Sequence, residues 1–387
     1  APWCQPQLLI HMKTAKRVLS VLIILFLALK FSPYGYLIKG VKGAYFDGYT
    51  SAHIYDRKHF DQREIPVFNA TPLPVSKTLK RVLDAETREK IERYKTAGLV
   101  VIEQDEIVLE EYWNAHEPAT MSNSFSMAKS IITMLVQIAV QDGYIDSWDD
   151  PITKYIPEYE IPEGIAEPTL RHFSTMTAGM QIKENYKAPF SKTAKLYYGD
   201  NVIQTALSIP VGKHPAGEVF EYQSAQTQIL TIALSRAVGE SISSYANREL
   251  FAKAGFESAA TWHLDQKEGL ELGFCCVNAS VRDYAKLGQL VLHHGYINGQ
   301  SVVDSSFLAM ASTGYRSPEY GHGFWIYPEP HQNIFAFRGM LGQDIIVDRQ
   351  HNRVVVRVGQ QSGGKFTRDF NRVELALLEQ LDRWDNN

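Results

Sequence analysis

Ser126-Met127-Ala128-Lys129-Ser130-Ile131-Ile132-Thr133-Met134-Leu135-Val136-Gln137-Ile138-Ala139-Val140 is the most apolar helical stretch in this chain. A helix that is apolar nearly all round is a buried one, and Asp142-Gly143 supplies a stop signal at its end. At its start a serine and, one turn later, a lysine share one face. An ammonium is rarely stationed at the mouth of a core without a task. Desolvation there disfavours the charged amine and lowers its pKa, which suits a neighbouring hydroxyl nucleophile. The helix N-terminus adds N–H groups and partial positive charge where an oxyanion would form. A Ser-x-x-Lys quartet arises by chance roughly once or twice in a chain of this length, so its weight comes from its position and from the motifs downstream.

Working outward, Leu99–Ile102 and Ile107–Leu109, separated by Glu103-Gln104-Asp105-Glu106, read as a β-hairpin just before that helix. Asp146 through Ser312 is dominated by helical patterns and loops with Pro and Gly. Strand-like runs return at Ile334–Phe337, Asp344–Val347 and Val354–Val358, followed by an amphipathic helix carrying Phe370, Val373, Leu377, Leu378, Leu381 and Trp384. Strands at both ends with helices between predict an α+β fold: an antiparallel sheet formed from N- and C-terminal segments, flanked by helices, with an inserted mostly helical subdomain. The expected domain spans 91–387. Residues 41–90 read as a polar, extended lead-in with scattered prolines.

The first 40 residues differ in kind. Lys13, Lys16 and Arg17 precede an apolar run from Val18 to Leu29, closed by Lys30. Such a run is short for a spanning helix and typical of a signal core, a buried core helix being the other reading. With Phe31–Ile38 extending it and no A-x-A cleavage pattern, it reads as an uncleaved signal-anchor. The basic residues would stay cytoplasmic, so the main domain would be exported; a cleaved signal would make it secreted. Met12-Lys13 looks like an authentic start, which leaves residues 1–11 as an extension outside the fold.

Composition bounds the chemistry. Apolar content of 45% with 21% charged residues is that of a folded globular protein, and a net charge of −4 offers no basic surface for nucleic acid. Three cysteines encode no disulfide framework, and the adjacent Cys275-Cys276 are expected as two small buried thiols, with a vicinal disulfide the other reading. No His/Asp/Glu cluster has metal-ligand spacing, so neither metal nor cofactor is expected. His172 is expected to cap or pack within Leu170-Arg171-His172. His293-His294 close a helix, where the C-terminal end favours a charged ring. The charges of the last helix (Arg368, Asp369, Arg372, Glu374, Glu379, Asp382) read as a solvated face.

An acyl-transfer serine needs a proton acceptor, a donor for the leaving group and two N–H groups on the oxyanion. Lys129 fits the first. Tyr222, in Phe220-Glu221-Tyr222-Gln223-Ser224-Ala225 after the turn Pro215-Ala216-Gly217, is the candidate for the second. Near a lysine ammonium its pKa would fall and it could shuttle a proton; the other reading is an ordinary half-buried aromatic. Arg338-Gly339-Met340, at a strand end, is the candidate for the third, because a glycine there permits close approach and the Met340 N–H could face the oxyanion.

The order Ser-x-x-Lys, Tyr-x-Ser, then a glycine motif on a late strand resembles the serine β-lactamase/penicillin-recognising superfamily, in its class C-like esterase and amidase branch. Asp142–Asp146, Asp149-Asp150-Pro151, Tyr155-Ile156-Pro157, Thr169–His172, Met176–Met180 and Phe274–Asp283 agree with it in order. The Tyr222 segment and Gly339-Met340-Leu341-Gly342-Gln343 look most like the 6-aminohexanoate-dimer hydrolases within that branch. The resemblance covers roughly 90–385 and implies Ser126 as nucleophile, Lys129 as its base, Tyr222 as proton relay, and the Ser126 and Met340 N–H groups as oxyanion hole. Ser224, Arg338, Gly339 and Gln343 would bind substrate. The chain departs from the pattern twice: Phe337-Arg338-Gly339 stands where β-lactamases carry Lys-Thr-Gly, and Leu341 stands where the dimer hydrolases carry histidine. The expected function is a serine hydrolase cleaving a small ester or amide. A D-alanyl peptidase or β-lactamase, and a non-catalytic ligand-binding module on the same fold, are the other readings.

Overall fold

The computed structural model describes residues 5–331, 333–364 and 371–386, with residues 5–13 as backbone only. In chain order the strands are β1 (Asp61–Ile65), β2 (Thr96–Glu103), β3 (Glu106–Tyr112), β4 (Ser122–Asn123), β5 (Ala260–Leu264), β6 (Val277–Ala279), β7 (Tyr296–Ile297), β8 (Gln300–Ser301), β9 (Trp325–Ile326), β10 (Ile334–Gly339), β11 (Gln343–Asp348) and β12 (Arg353–Gly359). The main sheet has the order β3-β2-β12-β11-β10-β9 and is antiparallel throughout. N-terminal β2 lies beside C-terminal β12, as the sequence predicts. The β2–β3 turn is made by Gln104 and Asp105, both at positive φ (50° and 65°), the left-handed pair that matches the twist of the flanking strands.

Both faces of this sheet are covered, which is why its strands read as near-continuous apolar runs. Alternation assigns the faces. Val354, Val356, Phe335 and Phe337 join the larger core with the Ala128–Gln141 and Val281–Leu292 helices. Val355, Ile334 and Ala336 join a second core with Val373, Leu377, Leu378 and Leu381 of the Arg372–Asp385 helix. Phe370, assigned to that helix by its pattern, lies outside the described residues, as do residues 1–4.

The lead-in is more structured than its composition suggests. β1 pairs with β5 in a second, four-stranded sheet of order β1-β5-β6-β4. The Ala85–Arg93 helix starts on an Asp84 cap, whose carboxylate accepts from the Thr87 N–H at 2.7 Å. The N-terminal segment forms a helix over Gln5–Lys30, and its side chains from Val18 to Leu29 are exposed. Among the described residues no helix is long and apolar enough to cross a membrane.

Cys275 and Cys276 are bonded to each other, with Cα atoms 3.7 Å apart, which overturns the expectation of two thiols. His172 does cap its own helix: its Nδ1 accepts from the Thr169 N–H at 3.0 Å. His294 departs from expectation, since burial and the nearby Arg349 charge push its pKa down.

Candidate active site

The serine sits on a forced turn. Ser122 and Asn123 are held against β6, and the Ser124 N–H donates to the Val277 carbonyl at 2.7 Å. The Val277 N–H returns a bond to Ser124 Oγ at 3.1 Å. Phe125 then takes a positive φ of 44°, held by its N–H on Asn123 Oδ1 at 2.9 Å. A bulky residue in that region is strained and persists only where its surroundings over-determine it. The result is a single 3-10 turn, Phe125–Met127, that hands Ser126 to the Ala128–Gln141 helix.

Lys129 follows one turn later, 1% exposed. Its Nζ lies 3.0 Å from Ser126 Oγ, 3.3 Å from Ser224 Oγ and 2.8 Å from the Phe274 carbonyl oxygen. Burial pulls its pKa down to about 7, against the nearby Glu184 charge, which pulls it up. A neutral amine has two hydrogens and one lone pair. With the hydrogens on Phe274 and Ser224, the lone pair is left for the Ser126 hydroxyl proton. That is the geometry a general base requires.

Tyr222 closes the third side. The Lys129 Nζ lies 5.1 Å from its ring centroid, and the ring packs on Trp325 and Tyr320, with centroids 5.1 and 5.8 Å away. Its pKa goes opposite to expectation: burial raises it well above the usual phenol value, and a hydrogen bond with Ser126 lowers it only in part. Desolvation outweighs that bond and the Arg338 charge, so Tyr222 is a neutral phenol that can donate or pass on a proton.

Ser224 opens the Ser224–Val238 helix and is fully buried, so it lies behind the lysine and not on a substrate surface. Its Oγ is 3.0 Å from Tyr186 Oη, and its N–H donates to Glu184 Oε1 at 3.1 Å. Tyr186 Oη also donates to Glu184. These two loop residues were missed; nothing in Lys183-Glu184-Asn185-Tyr186 distinguishes them from any polar loop.

The late glycine motif meets the serine turn directly. A Cβ at Gly339 would stand 2.3 Å from the Ser124 carbonyl oxygen and 3.3 Å from the Ser126 nitrogen, so only glycine lets β10 come this close. Gly339 pairs with Gln343 across the turn Met340-Leu341-Gly342. Two expected substrate contacts are corrected here. The Gln343 amide is turned inward, donating to the Met340 and Gly359 carbonyls at 3.1 and 2.6 Å, and braces the turn. Arg338 alternates to the far face of β10, where its Nη2 meets Glu374 Oε2 at 2.7 Å. Glu374 is therefore buried, not on a solvated face. Arg357, unremarked in the sequence, donates to the Leu341 and Gly342 carbonyls at 2.8 and 2.7 Å and pins the turn from below.

Asp348, at the end of β11 opposite Gln343, brings a ligand atom within 4.8 Å of others from His351 and Asp385. Arg353 already occupies that cluster, with Nη2 2.6 Å from Asp385 Oδ1.

This arrangement of serine, lysine, tyrosine and glycine strand defines a class. Residues 83–379 match the β-lactamase family, and the chain belongs to it. It is 25% identical over 328 residues to 6-aminohexanoate-dimer hydrolase of Paenarthrobacter ureafaciens, covering 77% of this chain and 81% of that protein. A solved Bacillus anthracis structure, carrying a provisional 6-aminohexanoate-dimer hydrolase name, superposes with a TM-score of 0.73 at 18% identity, over 92% of this chain and 95% of that one. A family VIII carboxylesterase superposes with a TM-score of 0.57 at 14% identity, over 78% of this chain and 99% of that one. The protein is thus a hydrolase of the β-lactamase fold.

Proposed function

We propose that this protein cleaves a small ester or amide through an acyl-enzyme on Ser126. Lys129 takes the serine proton as the hydroxyl attacks the carbonyl, the Ser126 and Met340 N–H groups hold the oxyanion, and Tyr222 passes the proton to the leaving group. No cofactor enters the sequence of steps. The observation that carries this reading is the Lys129 amine, buried and 3.0 Å from Ser126 Oγ, with both other contacts on acceptors. Similarity to 6-aminohexanoate-dimer hydrolase supports short linear amides among the substrates. Because Arg338 is engaged by Glu374, that position gives no cation to a β-lactam carboxylate, which favours the esterase/amidase reading over a penicillin enzyme.

The test is intact-protein mass spectrometry after quenching with p-nitrophenyl esters, short amides, a fluorophosphonate and a fluorescent penicillin. An acyl or phosphonyl adduct mapped to Ser126, without a penicilloyl adduct, is expected. A penicilloyl adduct would move the protein to the penicillin enzymes, and no adduct at all would leave a binding module.

Membrane attachment through the N-terminal helix belongs to the same proposal, with the hydrolase domain exported. It is supported by the exposed apolar residues from Val18 to Leu29, bracketed by Lys16, Arg17 and Lys30. The oxidised Cys275–Cys276 pair accords with an oxidising compartment.

A further inference from the structure

The loop that carries the third Lys129 contact also carries the disulfide. Phe274, whose carbonyl accepts from Lys129 Nζ at 2.8 Å, is bonded directly to Cys275. On the other side Cys276 leads into Val277, which exchanges two hydrogen bonds with Ser124, two residues before the nucleophile. The bridge closes a small ring through one peptide bond, and Cys276 within it takes a φ of 80°. A residue with a Cβ avoids that region unless it is constrained. The loop is also held by hydrogen bonds: Gly273 N–H to Gln228 Oε1 at 3.0 Å, Trp262 Nε1–H to the Leu272 and Cys275 carbonyls, both at 3.0 Å, Cys275 N–H to the Leu272 carbonyl at 3.1 Å, and His263 N–H to the Cys276 carbonyl at 3.1 Å. The Phe274 carbonyl shares its peptide plane with the Cys275 N–H, and the bridge constrains the residue at the far side of that peptide.

We propose that the Cys275–Cys276 disulfide is a redox switch on catalysis: oxidised, it fixes the Phe274 carbonyl on Lys129; reduced by a dithiol, it releases that carbonyl and the amine loses its aim at Ser126. The inference rests on Lys129 being the base for Ser126. In the reduction, a dithiol thiolate attacks one bridge sulfur, breaking the S–S bond and forming a mixed disulfide. Its second thiol then displaces the remaining cysteine. Two electrons and two protons pass to Cys275 and Cys276, and the dithiol leaves as its cyclic disulfide. Both cysteines are buried, so a small dithiol acts through opening of the loop.

The experiment follows p-nitrophenyl ester turnover and fluorophosphonate labelling of the full chain before and after dithiothreitol. Thiols are counted by maleimide mass shift on the denatured protein. With three cysteines in the chain, the count should rise from one to three on reduction. In step with it, kcat should fall about 10- to 100-fold, the cost of misplacing a catalytic group by a fraction of an ångström to an ångström. KM and the far-ultraviolet circular dichroism should stay unchanged, and oxidised glutathione should restore the rate. The Cys275→Ser/Cys276→Ser variant should be slow and indifferent to dithiothreitol. Unchanged turnover at three thiols, three thiols before any reduction, or a double variant as fast as the oxidised protein would each overturn the switch. Absence of any Ser126 adduct in either redox form would instead overturn the serine reading, and the switch with it.

Discussion

Among the described residues no carboxylate is hydrogen-bonded to the Lys129 amine; it is flanked by a hydroxyl, a second hydroxyl and a carbonyl. Burial therefore wins over Glu184, and the amine titrates at about 7. Acylation needs the free base, so kcat/KM for an ester should rise with pH through about 7 and then level off. The Tyr222 phenol, raised by burial, imposes no falling limb until strongly alkaline pH. A pH-rate profile with its rise near the ordinary lysine value of 10.5 would remove Lys129 as the base. Lys129→Ala should slow adduct formation at least about a thousandfold, as loss of a base from a concerted set does, while Ser126→Ala abolishes it. The same shift has a stability cost. Between about 7 and 10.5 the unfolded chain binds the proton that the native one has released. The penalty is thus full below about 7, roughly 5 kcal/mol, and fades as pH rises towards 10.5. Lys129→Met should accordingly raise the urea midpoint at pH 7 while eliminating turnover, and the gain should shrink at pH 10.

At the scale of elements, two misreadings of the sequence share one cause. Arg338 looked like a substrate cation and Glu374 like part of a solvated helix face, yet each is the other's buried partner. Strand period two sends Phe337 towards the Ser126 helix and Arg338 away from it, so the face was legible once the register was known. The strand runs themselves, the hairpin and the Ser126 helix were all legible, because apolar periodicity is a local property. Glu184, Tyr186 and Arg357 were not, because they reach the site by chain reversal and carry no pattern of their own. Arg338→Met alone should cost about 3–5 kcal/mol by stranding a buried carboxylate. Arg338→Met with Glu374→Met should regain most of that in denaturant titrations and keep kcat/KM within about tenfold, since Arg338 bears on the site through Trp325, over whose ring its guanidinium lies at 4.9 Å, and methionine can keep that packing. A double variant that folds but loses substrate affinity would return Arg338 to the binding site. Gln343 makes the contrasting case on the cleft side of the same hairpin. Gln343→Leu should lower kcat about 10²-fold, the size of losing an oxyanion donor, with KM little changed; a KM effect alone would make it a substrate contact after all.

Taken as a molecule, the chain closes its main sheet with β2 from one end and β12 from the other. The Ser126 helix, Tyr222 and the glycine turn are thus assembled only when both halves are in place. The N-terminal helix stands outside that closure. The hydrolase body grips the chain from Tyr34 on: Tyr34 packs against Phe190 at 5.6 Å, Tyr36 Oη donates to the Pro189 carbonyl at 2.9 Å, and Lys39 Nζ donates to the Asp265 carbonyl at 2.8 Å. Before that point the side chains from Val18 to Leu29 contribute exposed apolar surface and little to the core. Water tolerates such a surface poorly, and lipid covers it at a gain of about 25 cal/mol per Å². Deleting residues 1–30 should therefore leave the thermal midpoint and ester kcat/KM unchanged, yet abolish co-flotation with anionic liposomes, which the full chain should show. Equal flotation of the two proteins would disprove the anchor, and a lower midpoint in the truncated one would mean that the helix packs on the body instead.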